Sequence, residues 1–181
     1  MKVPTSRLVM VAWSVSLLLM SSCGQTKSRK NQPAISKEEL LRVNRSLVNK
    51  DETVIKTYLQ ARHQTMIRTK TGLWYHLDEP QNPQKVRKDQ VVTIQYEIQL
   101  LDSTICYSSR ISGPKTFMVG QGGVESGLEE GILLMGLGDK AQFMMPPHLA
   151  HGLIGDSEKI PARSILYYEV EVVDVKASAD E

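Results

Sequence analysis

Few residues of this 181-residue chain are of a type and spacing that do covalent, acid–base or metal chemistry. Of the two cysteines, Cys23 and Cys106, neither has a C-x-x-C partner or zinc-ligand spacing, which argues against a thiol redox site and a structural zinc. A catalytic role for Cys106 would need a neighbouring base or cation, and a half-buried structural cysteine is the simpler reading. His148-x-x-His151 with nearby Asp156 could be read as a metal site, but the three residues fall in a loop and no metal is assigned to them. The glycine-rich run Gly120-Gln121-Gly122-Gly123 is not followed by Gly-Lys-Ser/Thr, so it fails the requirement of a phosphate loop. Ser126 lacks the G-x-S-x-G frame of a nucleophile elbow. What remains is chemistry that needs only a shaped apolar hole and a few oriented dipoles, so the elements that would build such a hole become the question.

Bulk numbers allow one domain with appendages. The apolar fraction is 41%, ordinary for a globular chain, and 22 basic against 20 acidic residues give a net charge of +2, too balanced to suggest a nucleic-acid partner. Basic clusters at residues 27–30 and 85–88 read as solvated surface. At the N-terminus, Lys2 and Arg7 precede an apolar run over residues 8–20 that is short for a membrane span but right for a signal peptide. The run ends in Met20-Ser21-Ser22-Cys23, which resembles a bacterial lipobox, with Cys23 as the lipidated residue. The alternative is an ordinary signal peptide that happens to contain a cysteine. Lipidation of Cys23 would leave Cys106 without an intramolecular disulfide partner.

Residues 23–35 read as a flexible polar tether. Ser36-Lys37-Glu38-Glu39 is a capping-box pattern that predicts a helix start. Leu40, Leu41, Val43, Leu47 and Val48 then recur at helical spacing, Asn49-Lys50-Asp51 could break or bend the run, and Val54, Ile55, Tyr58, Leu59 and Met66 continue it. This helical segment, residues 36–68, could pack on the following domain or join two copies in a homodimer. After Thr71-Gly72 the period becomes that of strands, at residues 73–77, 91–101, 115–119, 141–145 and 165–175. In the second of these, Val92, Ile94, Tyr96, Ile98 and Leu100 alternate onto one face. With a short helix over residues 125–134, the expectation is an α+β fold, a five- or six-strand antiparallel sheet around one short helix, occupying residues 72–176.

Several ordered motifs carry a resemblance. Gly120-Gln-Gly-Gly-Val-Glu-Ser-Gly-Leu-Glu-Glu-Gly131 resembles the pattern L-G-x-x-x-V-I-x-G-W-E-E-G of the FKBP family of peptidyl-prolyl isomerases. Met145-Pro146-Pro147-His148-Leu149-Ala150-His151-Gly152 is similar to I-P-P-x-L-A-Y-G, Ile160-Pro161 to I-P-P, and residues 166–171 to L-x-F-x-V-E. Tyr96, Asp102, Ser108 and Ser109 fall where the family has its tyrosine, aspartate and serines. The resemblance spans residues 72–175. It implies an FKBP-like sheet wrapped around a short helix, no cofactor, and a substrate site made of Tyr96, Cys106, Tyr107, Phe117, Val124, Glu125 (through its backbone N–H), Leu128, His151, Ile160 and Tyr168. Against the family pattern, Cys106 and Lys115 replace phenylalanines, Tyr107 an aspartate, Glu125 an isoleucine, Leu128 the floor tryptophan, His151 a tyrosine and Tyr168 a phenylalanine. Lys115 and Glu125 bring charge to the rim, where they could pair with each other. The helical preface and Thr71-Gly72-Leu73-Trp74-Tyr75 also look like a lipoprotein branch of FKBPs from Bacteroidota that includes gliding-motility-associated members.

Rotation about an X-Pro bond crosses a barrier of about 18–20 kcal/mol because the twisted amide loses resonance. An apolar hole favours the twisted, less dipolar amide, and a backbone hydrogen bond orients it, so no nucleophile, metal or proton transfer is required. The resemblance therefore implies a prolyl isomerase acting on proline-containing exported polypeptides from a membrane anchor, in the cell envelope. Residues 24–28 lack the surface-export signals found after the cysteine in some Bacteroidota lipoproteins, which points to a periplasm-facing anchor on the outer membrane. The alternative is a non-catalytic chaperone or envelope-complex module that uses the altered cleft to hold a partner.

Overall fold

The computed structural model describes residues 36–80 and 82–177. The signal peptide, Cys23 and the tether up to residue 35 lie outside the described residues. Helix α1, Lys37–Ala61, is continuous. Asn49-Lys50-Asp51 neither breaks nor ends it, because the apolar stripe keeps its helical period through this point. Asp51 sits on that stripe together with Ile55 and Leu59, and these three are the buried residues of the helix. Ile55 and Leu59 pack with Met66, Trp74, Met144, Ile165 and Tyr167 in a small cluster on the sheet. Packing on the domain is thus realised by the C-terminal half of α1. In the N-terminal half the same stripe is bare, with Leu40 and Leu41 each 55% exposed and Val43 49% exposed.

Among the described residues the sheet has seven strands, β1 (Ile67–Arg68), β2 (Trp74–Leu77), β3 (Val91–Leu100), β4 (Ile105–Ser108), β5 (Lys115–Met118), β6 (Lys140–Met145) and β7 (Leu166–Lys176). All recorded pairings are antiparallel, in the order β1-β2-β6-β7-β3-β4, with β5 on β3 as well. Strand β3 is the axis of this arrangement. One edge pairs with β7 along its whole length, while the other holds β5 on its first half (Val91–Ile94) and β4 on its second (Glu97–Gln99). The alternation expected in β3 is realised: Val92, Ile94 and Ile98 are buried, and Tyr96 and Leu100 pack against the same core. Strands β1 and β4 exceed the five or six expected because two to four residues are too few to show a period.

Helix α3, Ser126–Ile132, buries Leu128 and Ile132 in the main core against the sheet. Its contact with β6 requires Gly131, since a Cβ there would come within 2.6 Å of the Phe143 ring. A short helix α2, Ser109–Ser112, follows β4, capped by the Ser108 hydroxyl, which accepts the Arg110 N–H. The main core gathers β3, β5, β6, β7 and α3 around Ile94, Leu128, Ile132, Phe143, Leu166 and Tyr168. At burial worth roughly 25 cal/mol per Å² of apolar surface, this cluster is the chief source of stability.

Candidate functional site

Separate elements bring the sequence-predicted site residues to one place. Leu128 (α3), Tyr168 (β7), Phe117 (β5), Cys106 (β4) and Ile160 (the loop before β7) are all buried in the main core, and Tyr96, Tyr107 and Val124 pack against it half-buried. The two remaining residues, Glu125 and His151, join this group through hydrogen bonds to one another and to Tyr168. The floor is apolar and aromatic, and it is closed: Leu128, Tyr168 and Ile160 are 0%, 1% and 2% exposed.

Glu125 occupies the turn into α3 with extended backbone angles (φ −61°, ψ 139°). Its carbonyl accepts the N–H groups of Leu128 and Glu129, which starts the helix. Among the described residues its own N–H has no acceptor. The side chain folds back over the floor, where Oε1 accepts the Tyr168 hydroxyl at 2.6 Å and lies 3.0 Å from His151 Nε2. Oε2 is buried with no hydrogen-bond partner. Burial of Tyr168, followed by the charge and hydrogen bond of Glu125, holds its hydroxyl pKa well above the usual tyrosine value. The expected pairing of Lys115 with Glu125 across the rim is not formed. The carboxylate turns inward to the donors of Tyr168 and His151, and Lys115 Nζ lies instead 6.0 Å from the Tyr96 ring centre.

Strand β4 supplies the opposite wall. The Cys106 thiol points to Lys159 O at 3.5 Å, and burial followed by the charges of Asp156 and Asp102 raises its pKa. The sequence suggests a half-buried structural cysteine, and the structure buries Cys106 fully, at 3% exposure. Tyr107 donates its hydroxyl to Asp156 and lies 3.3 Å from Glu158. That hydrogen bond to Asp156 is the main reason the Tyr107 pKa is raised. Asp156 in turn accepts the N–H groups of Glu158, Lys159 and Ile160 on Oδ1, at 2.9, 3.0 and 2.8 Å. Burial pushes its pKa up, but Tyr107 and these N–H groups prevail and hold it below the usual value. Asp156 thus organises the loop that carries Ile160. The signal available in sequence was Gly155-Asp156-Ser157, an Asx-turn pattern in which aspartate serves the backbone two residues on.

The other motifs find separate partners. His148 Nε2 lies 3.0 Å from Thr71 O, so the two histidines of His148-x-x-His151 serve different neighbours, Thr71 and Glu125. Among the described residues, no group of three or more metal-ligating side chains could hold a metal ion. The glycine-rich loop is held by Glu129, whose carboxylate accepts the N–H groups of Gly120 and Gly122, while Glu130 accepts the Thr71 hydroxyl at 2.6 Å. A depression of about 370 Å³ on the sheet is lined by Tyr96 together with Glu97, Lys140, Glu169 and Glu171, and Leu128, Ile160 and Tyr168 do not contribute to it.

Comparison with known proteins places this geometry. Residues 82–173 match the family described as FKBP-type peptidyl-prolyl cis-trans isomerase. The chain is 33% identical over 121 residues to FK506-binding protein 2 of Yarrowia lipolytica, covering 66% of this chain and 84% of that one. It is 34% identical over 110 residues to the probable FKBP-type peptidyl-prolyl cis-trans isomerase FkpA of Neisseria meningitidis serogroup B, covering 60% of this chain but 40% of that one. In fold it resembles the crystal structure of FkpA from Escherichia coli, with a TM-score of 0.62 at 23% identity, over 98% of this chain and 84% of that one.

Proposed function

Because the chain belongs to the FKBP-type peptidyl-prolyl cis-trans isomerase family, we propose that it is itself a prolyl isomerase that assists the folding of exported polypeptides. The observation that carries this reading is that Tyr96, Phe117, Val124, Leu128, Ile160 and Tyr168 share one apolar core cluster, to which Glu125 is tied by its hydrogen bond with Tyr168. A proline ring seated there leaves water, and its twisted amide loses less solvation than the planar one. The Glu125 N–H orients a substrate carbonyl, and the hole excludes the water that would stabilise the ground state. Neither proton transfer nor a covalent intermediate enters this scheme. The test is a protease-coupled or exchange-NMR assay of proline peptides with the soluble chain starting at Gly24. Acceleration over the uncatalysed rate is expected, and its absence across several residues before proline would overturn the proposal.

A second reading is a binding module without catalysis. The closed floor and the carboxylate laid across it favour that reading. Suppression of client aggregation with no rate enhancement would select it.

We further propose that Cys23 carries the lipid that anchors the chain in the cell envelope, on the periplasmic side of the outer membrane, as in the lipoprotein branch that the lead-in at residues 71–75 resembles. Labelling with radioactive palmitate should depend on Cys23, and Cys23→Ser should release the protein from membranes. The bare stripe Leu40, Leu41 and Val43 on α1 supports pairing with a second copy, because Lys37, Glu38, Glu39, Arg42 and Arg45 on the same turns offer both signs of charge to an identical partner.

A further inference from the structure

The side chain that covers the prolyl floor is a carboxylate, and it is held on one side only. Glu125 is 8% exposed at its side chain, with Oε1 serving both Tyr168 and His151 while Oε2 is buried and unpartnered. A carboxylate offers about four acceptor sites. An acceptor taken from water and given no donor is a costly arrangement, so this oxygen is where a ligand's donor would gain most. His151, which closes the network at the rim, is 29% exposed and sits on the loop, so the lid borders solvent. Glu125 also carries the backbone N–H proposed to hold the substrate. A donor on a residue next to the bound proline would therefore arrive beside Oε2.

The surrounding charge favours a cation there. The groups facing the cleft are Glu125 with Tyr168 and His151, Lys115 over Tyr96, and Tyr107 with Asp156, Glu158 and Lys159. Three carboxylates (Glu125, Asp156, Glu158) against two lysines (Lys115, Lys159) leave the cleft net negative when His151 is neutral. Lys159 Nζ is in addition placed 5.0 Å from the Tyr107 ring centre. Neither lysine forms an ion pair with Glu125.

We propose that Glu125 determines substrate specificity: the cleft prefers prolyl bonds flanked by lysine or arginine, whose cation binds the free carboxylate oxygen and draws the side chain off the floor. The apolar floor opens as that ion pair forms, so binding the cation and admitting the proline ring are coupled. This inference rests on the prolyl-site reading above, and it concerns which peptides enter rather than how the bond rotates.

The test compares Ala-Lys-Pro-Phe, Ala-Leu-Pro-Lys, Ala-Leu-Pro-Phe and Ala-Glu-Pro-Phe peptides in two measurements, cis–trans exchange by NMR and binding by titration, using the soluble chain from Gly24. At least one lysine peptide should exceed Ala-Leu-Pro-Phe about fivefold, the order expected of a half-exposed ion pair, and the glutamate peptide should fall below it. The ratio should fall toward one at about 0.5 M salt, where exposed charges are screened. In Glu125→Gln the lysine preference should vanish, with near-UV circular dichroism reporting on the fold. The peptide series and its salt dependence decide the matter in the wild-type chain even if that variant fails to fold. Acceleration of all peptides alike, or a lysine preference that survives Glu125→Gln, overturns the specificity proposal and leaves the isomerase standing. Tighter binding of lysine peptides without acceleration overturns the isomerase and supports the specificity. Neither acceleration nor selective binding overturns both.

Discussion

Arg163 gives one guanidinium nitrogen, Nη2, to both carboxylate oxygens of Asp51, at 2.9 and 3.2 Å. The two residues are 112 positions apart, and the bond joins α1 to the loop leading into β7. The backbone N–H of Arg163 meanwhile donates to Gly152 O at 3.1 Å, and its φ of 59° is a conformation that side chains rarely adopt. The helix therefore holds the stem of the loop that carries His151 and Ile160. Asp51→Ala leaves Arg163 without its partner in a partly buried place. It should cost about 1–2 kcal/mol of stability, between exposed and fully buried ion pairs. Urea unfolding measures this, and amide exchange should show α1 losing protection first. Lys56→Ala, which breaks the exposed pair with Glu52, should change stability by no more than about 0.5 kcal/mol.

Tyr168 and Glu125 should prove energetically coupled. Tyr168→Phe removes a donor from a buried carboxylate and should cost about 1–2 kcal/mol. Glu125→Leu leaves the Tyr168 hydroxyl unserved and should also destabilise. The double variant, with neither polar group, should be less destabilised than the sum of the two by about 1 kcal/mol. A double-mutant cycle by chemical denaturation supplies the number.

The same hydroxyl makes stability depend on alkaline pH. Tyr168 and Tyr107 both titrate above the usual value of 10.0 in the folded chain. Their contribution is therefore complete below about pH 10 and declines as pH rises further, because the unfolded chain gives up these protons first. Asp156 has the opposite sign. Held below its usual 3.8, it contributes above that pH and loses the contribution as pH falls beneath it. Denaturation midpoints followed upward from about pH 9 should fall for the wild type and fall less for Tyr168→Phe. Asp156→Asn should flatten the acid limb.

The two halves of α1 should answer mutation differently. Ile55 is 0% exposed, and Ile55→Ala should cost about 2–4 kcal/mol by leaving a cavity against Trp74 and Tyr167. Leu40→Lys with Leu41→Lys alters side chains that meet no part of the core, so the unfolding midpoint should stay nearly unchanged. Sedimentation at one concentration should show the wild-type soluble chain as a dimer and this variant as a monomer.

Residue patterns alone determined most of the scaffold. The alternation through β3, the helical stripe of α1, and the glycine and proline blocks between Gly120 and Gly152 report local backbone preference and burial, which short-range spacing encodes. The candidate site residues came from the family resemblance: Tyr96, Val124, Glu125, Leu128 and His151 stand at fixed offsets within those blocks, and Cys106, Tyr107, Phe117, Ile160 and Tyr168 outside them. Where side chains turn within the cleft was decided by tertiary structure. Glu125 meets His151 across 26 positions and Tyr168 across 43, so no local pattern could say that it would abandon Lys115 and lie over the prolyl floor. Periodicity likewise marks one face of α1 as apolar from Leu40 to Leu59, but it cannot say where the domain ends. The fold buries that face from Asp51 onward, half-covers Leu47 and Val48, and leaves Leu40, Leu41 and Val43 bare, because burial depends on what lies opposite a residue and spacing only on what lies beside it.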